Sequence, residues 1–463
     1  MIKGFFCDKN AKNILIPKSA GLFFSELHSA LHNYNFYYIC KESVLAYYIM
    51  KKLFYLSCGF ALLLAASCSK ETPAPAPEIK PEDKAMNLSY EGTANCYLVY
   101  EAGDYSFDAT VRGNGAVTEG LEKPAHLSPA GASLVWETDK GMVSAVSFAD
   151  GKIRFTYSGK PGNALIAAKD AEGKIIWSWH IWCPEEEVLT YGMKSGYRVM
   201  NMNLGALTSK FSAEPDVKPY GMLYQWGRKD PFPAAPTLTG DAQTVGAALY
   251  DADGKEVSIE HTSWTSAAEN TLEFAIANPT VCIASSALAA TSQDWLAESA
   301  DALWGNPDGS FRDKATNTYP NKGAKSYYDP CPVGYRVPPA DAFRTFTASG
   351  GYAWTVDSFD VADSNGDGVV DAEDFNYGWL FNMKSGNSLF FPAATRYYGA
   401  YGMLMGSMSG LWGNYWGNAA AEASYGKPGV AFCVLSFAKS PMTVSPAATA
   451  ARADGMSVRC IKE

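Results

Sequence analysis

Apolar and polar residues alternate along much of residues 87–184. Residues 105–111 (YSFDATV) and 153–157 (IRFTY) place an apolar or small side chain at every second position. A period of two is typical of β-strands that bury one face. Residues 163–182 (NALIAAKDAEGKIIWSWHIW) hold two apolar runs around a turn sequence, which predicts a hairpin. Many short strands at close spacing predict an immunoglobulin-like β-sandwich over residues 87–184.

Trp177, Trp179 and Ile181 share one face of the second strand of this hairpin. Such a stripe could form a platform for carbohydrate, but it is more often the buried face of a strand. We therefore assign these three side chains to the core.

The pattern changes after residue 188. Only residues 292–305 (SQDWLAESADALWG) and 338–351 (PPADAFRTFTASGG) predict short helices. The rest is rich in Gly, Tyr and Trp and is broken by turns. Residues 188–463 are therefore predicted to form one larger α+β domain with long loops.

A different pattern lies closer to the N-terminus. Lys51 and Lys52 precede an apolar run, Leu53–Ala66, of 14 residues, whereas a span across a bilayer takes about 20. The run ends in AASC (65–68), which resembles the lipobox of bacterial lipoproteins. The resemblance implies a signal peptide over residues 50–67 and lipidation of Cys68. An ordinary signal peptide and a short core helix are the alternatives.

Residues 1–49 precede this signal and have no clean period. Because a signal peptide begins at the N-terminus, we interpret Met50 as the true start, with a cytoplasmic extension as the alternative. Residues 68–86 are rich in Pro, Ala and charge, which predicts a flexible tether. Residues 69–71 (SKE) partly match the surface-export signal of Bacteroides-type lipoproteins. We expect an outer-membrane protein at the cell surface that contacts the membrane through its lipid anchor only.

Composition argues against several classes of partner and active site. The 463 residues are 47% hydrophobic and 19% charged, and the net charge is −10. Nucleic acid is therefore not expected as a partner, because phosphates require a basic surface. Beyond residues 1–49 only His126, His180 and His261 remain, too scattered to indicate a zinc site or a Ser-His-Asp triad. No spacing indicates a catalytic carboxylate pair, so we expect no enzyme.

Several phrases of the second region recur together in one group of proteins. They are MNLGA (202–206), GMLYQWGRKDPFP (221–233), YYDPCPVGYRVP (327–338), FFPAATRYYGAYG (390–402) and GMSVRCIKE (455–463). Together they resemble the Fibrobacter succinogenes major paralogous domain, found in surface lipoproteins of Bacteroides-type bacteria. TANCYLV (93–99) and IIWSWHIW (175–182) resemble the β-domain that often precedes it. The resemblance covers nearly all of residues 87–463.

That domain is similar to the C-type lectin fold, which has two helices, a looped antiparallel sheet and termini that meet. The resemblance implies a disulfide between Cys331 and Cys460, with two reduced core cysteines as the alternative. Spacing alone does not give the pairing of the remaining cysteines, Cys96, Cys183, Cys282 and Cys433. The fold is also similar to that of formylglycine-generating enzymes, but the sequence has no matching set of active-site cysteines or metal ligands.

Residues 363–374 (DSNGDGVVDAED) carry the strongest chemical motif. Calcium takes about six to eight oxygen ligands from a loop that turns sharply. The ligand positions of a twelve-residue calcium loop are held here by Asp363, Asn365, Asp367, Val369, Asp371 and Asp374. Asp at the last position resembles dockerin loops, but dockerins carry two loops and this chain has one. We expect a structural calcium ion; a solvated acidic turn that binds nothing is the alternative.

Aromatic residues and glycines are concentrated in residues 397–416. The aromatic residues are Tyr397, Tyr398, Tyr401, Trp412, Tyr415 and Trp416. Flat apolar faces with polar tips suit sugar rings or protein partners, and they also fill the core of a loop-rich domain. These six are candidate ligand-binding residues, but a structural role in the core is the favoured interpretation.

These features predict a non-catalytic surface lipoprotein that binds a glycan or a surface protein through its lectin-like domain. A structural component of a surface fibre is the alternative, and a hydrolase is the weakest candidate. Exposed aromatic residues would favour glycan binding. A buried aromatic cluster beside an open sheet edge would favour assembly by strand addition.

Overall fold

The computed structural model describes residues 84–238, 244–262, 267–285, 293–421 and 429–463. The segment 1–49, the predicted signal peptide 50–67, Cys68 and the tether up to residue 83 lie outside these ranges. Residues Glu82–Glu463 form one compact unit. Within the described ranges no helix is both long enough and apolar enough to span a bilayer.

Strands dominate the first part of the chain. They are β1 (Met86–Asn87), β2 (Cys96–Leu98), β3 (Gly103–Asp108), β4 (Gly131–Glu137), β5 (Val143–Ala149), β6 (Lys152–Tyr157), β7 (Gly162–Lys169) and β8 (Ile175–Cys183). The predicted hairpin is β7–β8, closed by a turn in which the Asp170 N–H donates to the Lys174 carbonyl (3.0 Å). Met86, the last residue of the predicted tether, already belongs to β1 and pairs with Tyr105.

The second part of the chain is also mostly strand and loop. Its first strands are β9 (Thr190–Gly192), β10 (Arg198–Met200), β11 (Met222–Gln225), β12 (Phe232–Pro233), β13 (Leu249–Tyr250), β14 (Glu256–Val257), β15 (Glu260–His261), β16 (Val281–Cys282) and β17 (Tyr335–Arg336). Its later strands are β18 (Gly378–Asn382), β19 (Ser388–Pro392), β20 (Tyr397–Tyr398), β21 (Met403–Leu404), β22 (Trp412–Ala420), β23 (Val430–Ala438), β24 (Thr443–Ser445), β25 (Thr449–Ala451), β26 (Gly455–Ser457) and β27 (Ile461–Lys462).

Four of the sheets have four or more strands. Their orders are β1-β3-β6-β5, β14-β13-β4-β7-β8-β2, β17-β27-β10-β9, and a nine-stranded sheet with the path β12-β11-β26-β22-β23-β24. The first two pack against each other, since the rings of Phe107 and Trp179 lie 5.1 Å apart. Trp177, Trp179 and Ile181 are all fully buried, as assigned. The protein is therefore β-rich, as predicted.

Helices are scarce, and both predicted helices are wrong. Described helical segments are α1 (Leu272–Ala277) and the 3-10 turns Ala267–Glu269, Arg344–Phe346, Val356–Ser358, Ala372–Asp374 and Gly406–Met408. The described part of residues 292–305 forms turns, because Trp295 and Trp304 are each drawn into the core. Residues 338–351 keep only one 3-10 turn, because the backbone at its end bonds to a later segment: the Ala348 N–H donates to the Ser358 carbonyl (2.9 Å), and the Asp360 N–H donates to the Phe346 carbonyl (2.9 Å).

The two predicted regions, 87–184 and 188–463, are joined by buried hydrogen bonds and by a shared sheet. Strands β13 and β14 of the second region extend the six-stranded sheet of the first. The buried amide of Asn95 donates to the carbonyls of Tyr327 (2.8 Å) and Asp329 (2.9 Å), and its oxygen accepts from Trp177 Nε1 (3.0 Å). The two regions therefore share one sheet and one core.

His180 lies where the two regions meet and is almost fully buried. Its Nε2 lies 2.8 Å from Asn163 Oδ1, and its Nδ1 lies 3.2 Å from the Tyr224 hydroxyl. Because the Asn163 amide nitrogen donates to the Gly205 carbonyl, Asn163 Oδ1 is an acceptor and His180 is neutral with its proton on Nε2. Burial lowers the pKa of His180 to about 3, because a charged ring would lose its solvation there.

The predicted disulfide between Cys331 and Cys460 is confirmed and joins residues 129 positions apart. Next to it, β27 pairs with both β10 and β17, which fastens the C-terminal end of the chain. Cys96, Cys183 and Cys282 are buried and form no disulfide. The side chain of Cys433 lies outside the described residues.

Removal of this disulfide tests its contribution to stability. We expect Cys331→Ala/Cys460→Ala to lower the free energy of unfolding by about 2–5 kcal/mol, because a bridge over a long loop restricts the unfolded chain. Urea unfolding measures the difference. A reductant should lower the midpoint of the wild type and leave the variant unchanged. Equal midpoints for the wild type and the variant would contradict this expectation.

Acid should destabilise the protein through His180. In the unfolded chain this residue binds a proton below about pH 6.5. In the folded protein it stays neutral until about pH 3. Between these two pH values, protonation therefore favours unfolding. The expected loss is about 1.4 kcal/mol for each pH unit below the unfolded pKa. Urea unfolding between pH 6.5 and pH 5 measures this slope. His180→Gln should flatten the slope, and the exposed His261→Gln should not; an unchanged slope in His180→Gln would refute the assignment.

Candidate functional site

Of the six candidate aromatic residues, three are buried, two are exposed and Trp412 is half-buried. Tyr397, Tyr415 and Trp416 are buried, so the structure corrects their assignment as ligand-binding residues. Tyr397 donates its hydroxyl to the Pro233 carbonyl (2.9 Å), and Tyr415 donates to that of Pro392 (2.7 Å). Tyr415 and Trp416 are neighbours on β22 and pack into two different core clusters, and Tyr397 packs into a third.

Tyr398 and Tyr401 form the exposed group and lie on the β20–β21 hairpin. Tyr397 pairs with Leu404 and Tyr398 pairs with Met403, so consecutive tyrosines face opposite sides. Tyr398 is 40% exposed and Tyr401 is 56% exposed, and their ring centroids lie 5.6 Å apart. We call this pair the hairpin platform.

Buried charge holds the hairpin platform in place. Arg396 donates to the buried Asp454 (2.9 Å), which also accepts the Gly399 N–H (2.7 Å). The Arg396 guanidinium lies 6.0 Å from the Tyr398 ring and 5.8 Å from the ring of Trp412, which is half-buried beneath the platform. Burial raises the pKa of Asp454, and the positive charge of Arg396 opposes that rise.

Sequence analysis missed a second exposed aromatic pair, Tyr352 and Trp354. They are 56% and 69% exposed, and their ring centroids lie 5.6 Å apart. Ala353 exchanges both backbone hydrogen bonds with Val444, at 2.8 and 3.0 Å, and turns its own side chain inward. The neighbours on either side must therefore face solvent. The alternation in YAWT (352–355), directly after the segment 338–351 that was predicted to be a helix, was the available signal.

The acidic loop 363–374 is wound by its own side chains. Asp363 accepts the N–H groups of Gly366 (2.6 Å) and Gly368 (2.8 Å). Asn365 and Asp367 each accept a backbone N–H two residues further on, at 2.9 and 2.8 Å. Asp371 accepts from Glu373 in the same way (2.7 Å). The loop is therefore a chain of short local turns, mostly exposed to solvent.

Asp374 closes this loop and is fully buried. Its carboxylate accepts the N–H groups of Ser364 (2.5 Å), Asn365 (3.3 Å) and Asp371 (2.9 Å). Burial alone would raise its pKa, but these three donors outweigh burial and hold the pKa below its usual value. Its contribution to stability is therefore present at neutral pH and is lost only as the pH falls through that lowered pKa.

The loop fits calcium by the kind and number of its oxygen atoms, but the carboxylates do not converge. In the part of the chain that the structure describes, no group of three or more His, Cys, Asp or Glu side chains is arranged to hold a metal ion. Asp374 already uses three of its roughly four lone-pair positions on backbone N–H groups. Calcium binding would require Asp363, Asp367 and Asp371 to turn towards a common centre, so the ion stays a prediction.

No family model, curated protein or solved structure matches this chain. The resemblance to the Fibrobacter succinogenes major paralogous domain therefore stays a prediction from sequence phrases, and function has to be argued from the residues themselves.

Calcium binding can be measured directly. We expect calcium to bind residues 363–374 with a dissociation constant on the order of 10⁻⁴–10⁻³ M, as extracellular modules do. Isothermal titration of the full-length protein measures this constant, and Asp363→Asn/Asp367→Asn should abolish the heat because two charged ligands become amides. Asp253→Asn, in another exposed acidic turn, is the matched control. Absence of heat up to about 10 mM calcium would rule out the site.

Proposed function

We propose that this protein binds a glycan, without catalysis, through the hairpin platform. One observation carries the proposal: Tyr398 and Tyr401 stand exposed side by side on a hairpin held from beneath by Arg396 and buried Asp454. A sugar ring has apolar C–H faces and hydroxyl edges. Two tyrosines offer it flat apolar faces together with polar tips. Because the hairpin is already fastened, little ordering of the chain is needed on binding.

We include the localisation of the protein in the same proposal. The AASC sequence that ends at Cys68 and the SKE sequence after it support export, lipidation and display on the outer membrane of a Bacteroides-type cell. The confirmed disulfide is compatible with an oxidising compartment. It also supports the lectin-like assignment of residues 188–463, because that resemblance implied this pairing. The immunoglobulin-like assignment of residues 87–184 rests on the two packed sheets.

Assembly into a fibre by strand addition has weaker support. In the sheets of four or more described strands, every terminal strand except β5 has only two or three residues. The longer β5 carries a register shift between Ser144 and Ser147, with Ala145 at a φ of 52°. Short strands and bulges protect sheet edges against pairing with another chain.

Truncation of the platform tests glycan binding. We expect Tyr398→Ala/Tyr401→Ala to weaken binding to glycans immobilised on an array by roughly thirtyfold, because a central aromatic contact contributes about 2 kcal/mol. Tyr398→Phe/Tyr401→Phe keeps both rings and should retain most of the affinity. Titration with the best array glycan, by calorimetry on the full-length protein, measures the change.

Tyr90→Ala is the matched control, since Tyr90 is an isolated and highly exposed tyrosine elsewhere on the surface. Its affinity should equal that of the wild type. Wild-type affinity in a folded Tyr398→Ala/Tyr401→Ala protein would refute glycan binding by the hairpin platform. Failure of the wild type to bind any glycan on the array would overturn the function and direct attention to protein partners.

A further inference from the structure

An open cleft of about 560 Å³ lies between three loops outside the hairpin platform. One wall is residues 116–119, which follow β3, and the other walls are residues 305–308 and 320–325. The volume lies within the range of roughly 300–1,000 Å³ that small-molecule sites occupy. The first wall comes from the first region of the chain and the other two from the second.

Close backbone contacts build this cleft. The Ala324 N–H donates to the Gly305 carbonyl (3.1 Å), and a Cβ at Gly305 would lie 1.8 Å from the Ala324 oxygen. A Cβ at Gly113 would lie 2.1 Å from the Tyr327 oxygen, so this glycine lets the loop of the first region approach the second. Asn114 then donates its amide to the Lys325 carbonyl (3.1 Å).

Buried polar side chains fix the walls from behind. Asn306 donates to Asn418 Oδ1 (2.8 Å), and Asn418 donates to the Lys322 carbonyl (3.1 Å). The ammonium group of Lys325 donates to the carbonyls of Cys331 (2.8 Å) and Pro332 (2.6 Å). Residues with such complete networks cannot move without losing buried hydrogen bonds, so the cleft is formed before any ligand arrives.

The charge left free in the cleft is negative. Lys322 forms an ion pair with Asp341, and the buried Lys325 lies 3.9 Å from the Glu463 carboxylate. Glu119 and Asp308 are exposed at the rim and form no salt bridge with any described residue. Thr118 and Asn321 add neutral polar groups, while the walls also carry exposed apolar surface at Val117 and the prolines 307 and 320.

We propose that this cleft binds one neutral hexopyranose unit of the glycan. The proposal deepens the proposed glycan-binding function and rests on it. Carboxylates accept charge-assisted hydrogen bonds from sugar hydroxyls, and the apolar wall receives a C–H face of the ring. The same two carboxylates repel acidic sugars, so specificity for uncharged rings follows from the free charge.

The test uses full-length protein and five probes: methyl glucoside, methyl galactoside, methyl mannoside, glucuronate and galacturonate. Saturation-transfer NMR should show binding of at least one neutral glycoside and of neither uronate. Glu119→Gln/Asp308→Asn should weaken that glycoside by about tenfold or more, because two charge-assisted hydrogen bonds are reduced to neutral ones. Thr118→Trp should block the cleft. Glu122→Gln, an exposed glutamate outside the cleft, is the matched control and should bind as the wild type does.

Any of three results would refute the proposal that the cleft binds a neutral sugar. They are that no neutral glycoside binds, that uronates bind equally well, or that Glu119→Gln/Asp308→Asn leaves the affinity unchanged. The two proposals fail in distinguishable ways. Array binding that is lost in Tyr398→Ala/Tyr401→Ala but retained in Glu119→Gln/Asp308→Asn and in Thr118→Trp overturns the cleft alone. The reverse pattern overturns the platform alone and supports the cleft.

Discussion

The buried amide of Asn95 is the contact on which the arrangement of the two regions depends. It meets the carbonyls of Tyr327 and Asp329 and the indole of Trp177, so both of its N–H groups and its oxygen have partners. A side chain without the same three groups would leave buried polar atoms unsatisfied, which is expensive in an interior of low dielectric. The contact therefore specifies one relative position for strand β8 and the 327–329 segment.

Other features of the molecule follow from that position. Beside this contact, Gly113 lets loop 113–119 approach segment 320–327, and their approach forms one side of the cleft. Near the C-terminus, Arg459 has the same organising role, since it donates to Asn203 Oδ1 (2.7 Å) and the Phe390 carbonyl (2.8 Å). Burial lowers the pKa of Arg459 to about 10, and its bonds join three of the sequence phrases that carry the family resemblance.

Exposure separates the aromatic residues that we propose to bind a ligand from those that fill the core. Neighbouring tyrosines 397 and 398 differ only in which side of a two-residue strand they occupy, yet one supports the core and the other can meet a ligand. The hairpin platform and the cleft are both formed by loops held on rigid strands. That combination is common in binding proteins, because loops vary while the scaffold keeps them in place.

The sequence by itself determined the β-rich character, the β7–β8 hairpin, the burial of Trp177 and Trp179, and the local winding of loop 363–374. These features depend on neighbours along the chain, where periodicity and turn chemistry act. Through the family resemblance it also indicated the pairing of Cys331 with Cys460. Only the tertiary structure decided the turns at 293–305, the outward side of Tyr398 and the existence of the cleft. Each depends on contacts between segments that are distant in the sequence. Trp295 donates to the Trp226 carbonyl, Tyr397 turns inward to the Pro233 carbonyl and leaves Tyr398 outside, and the cleft joins residues 116–119 to residues 305–308 and 320–325.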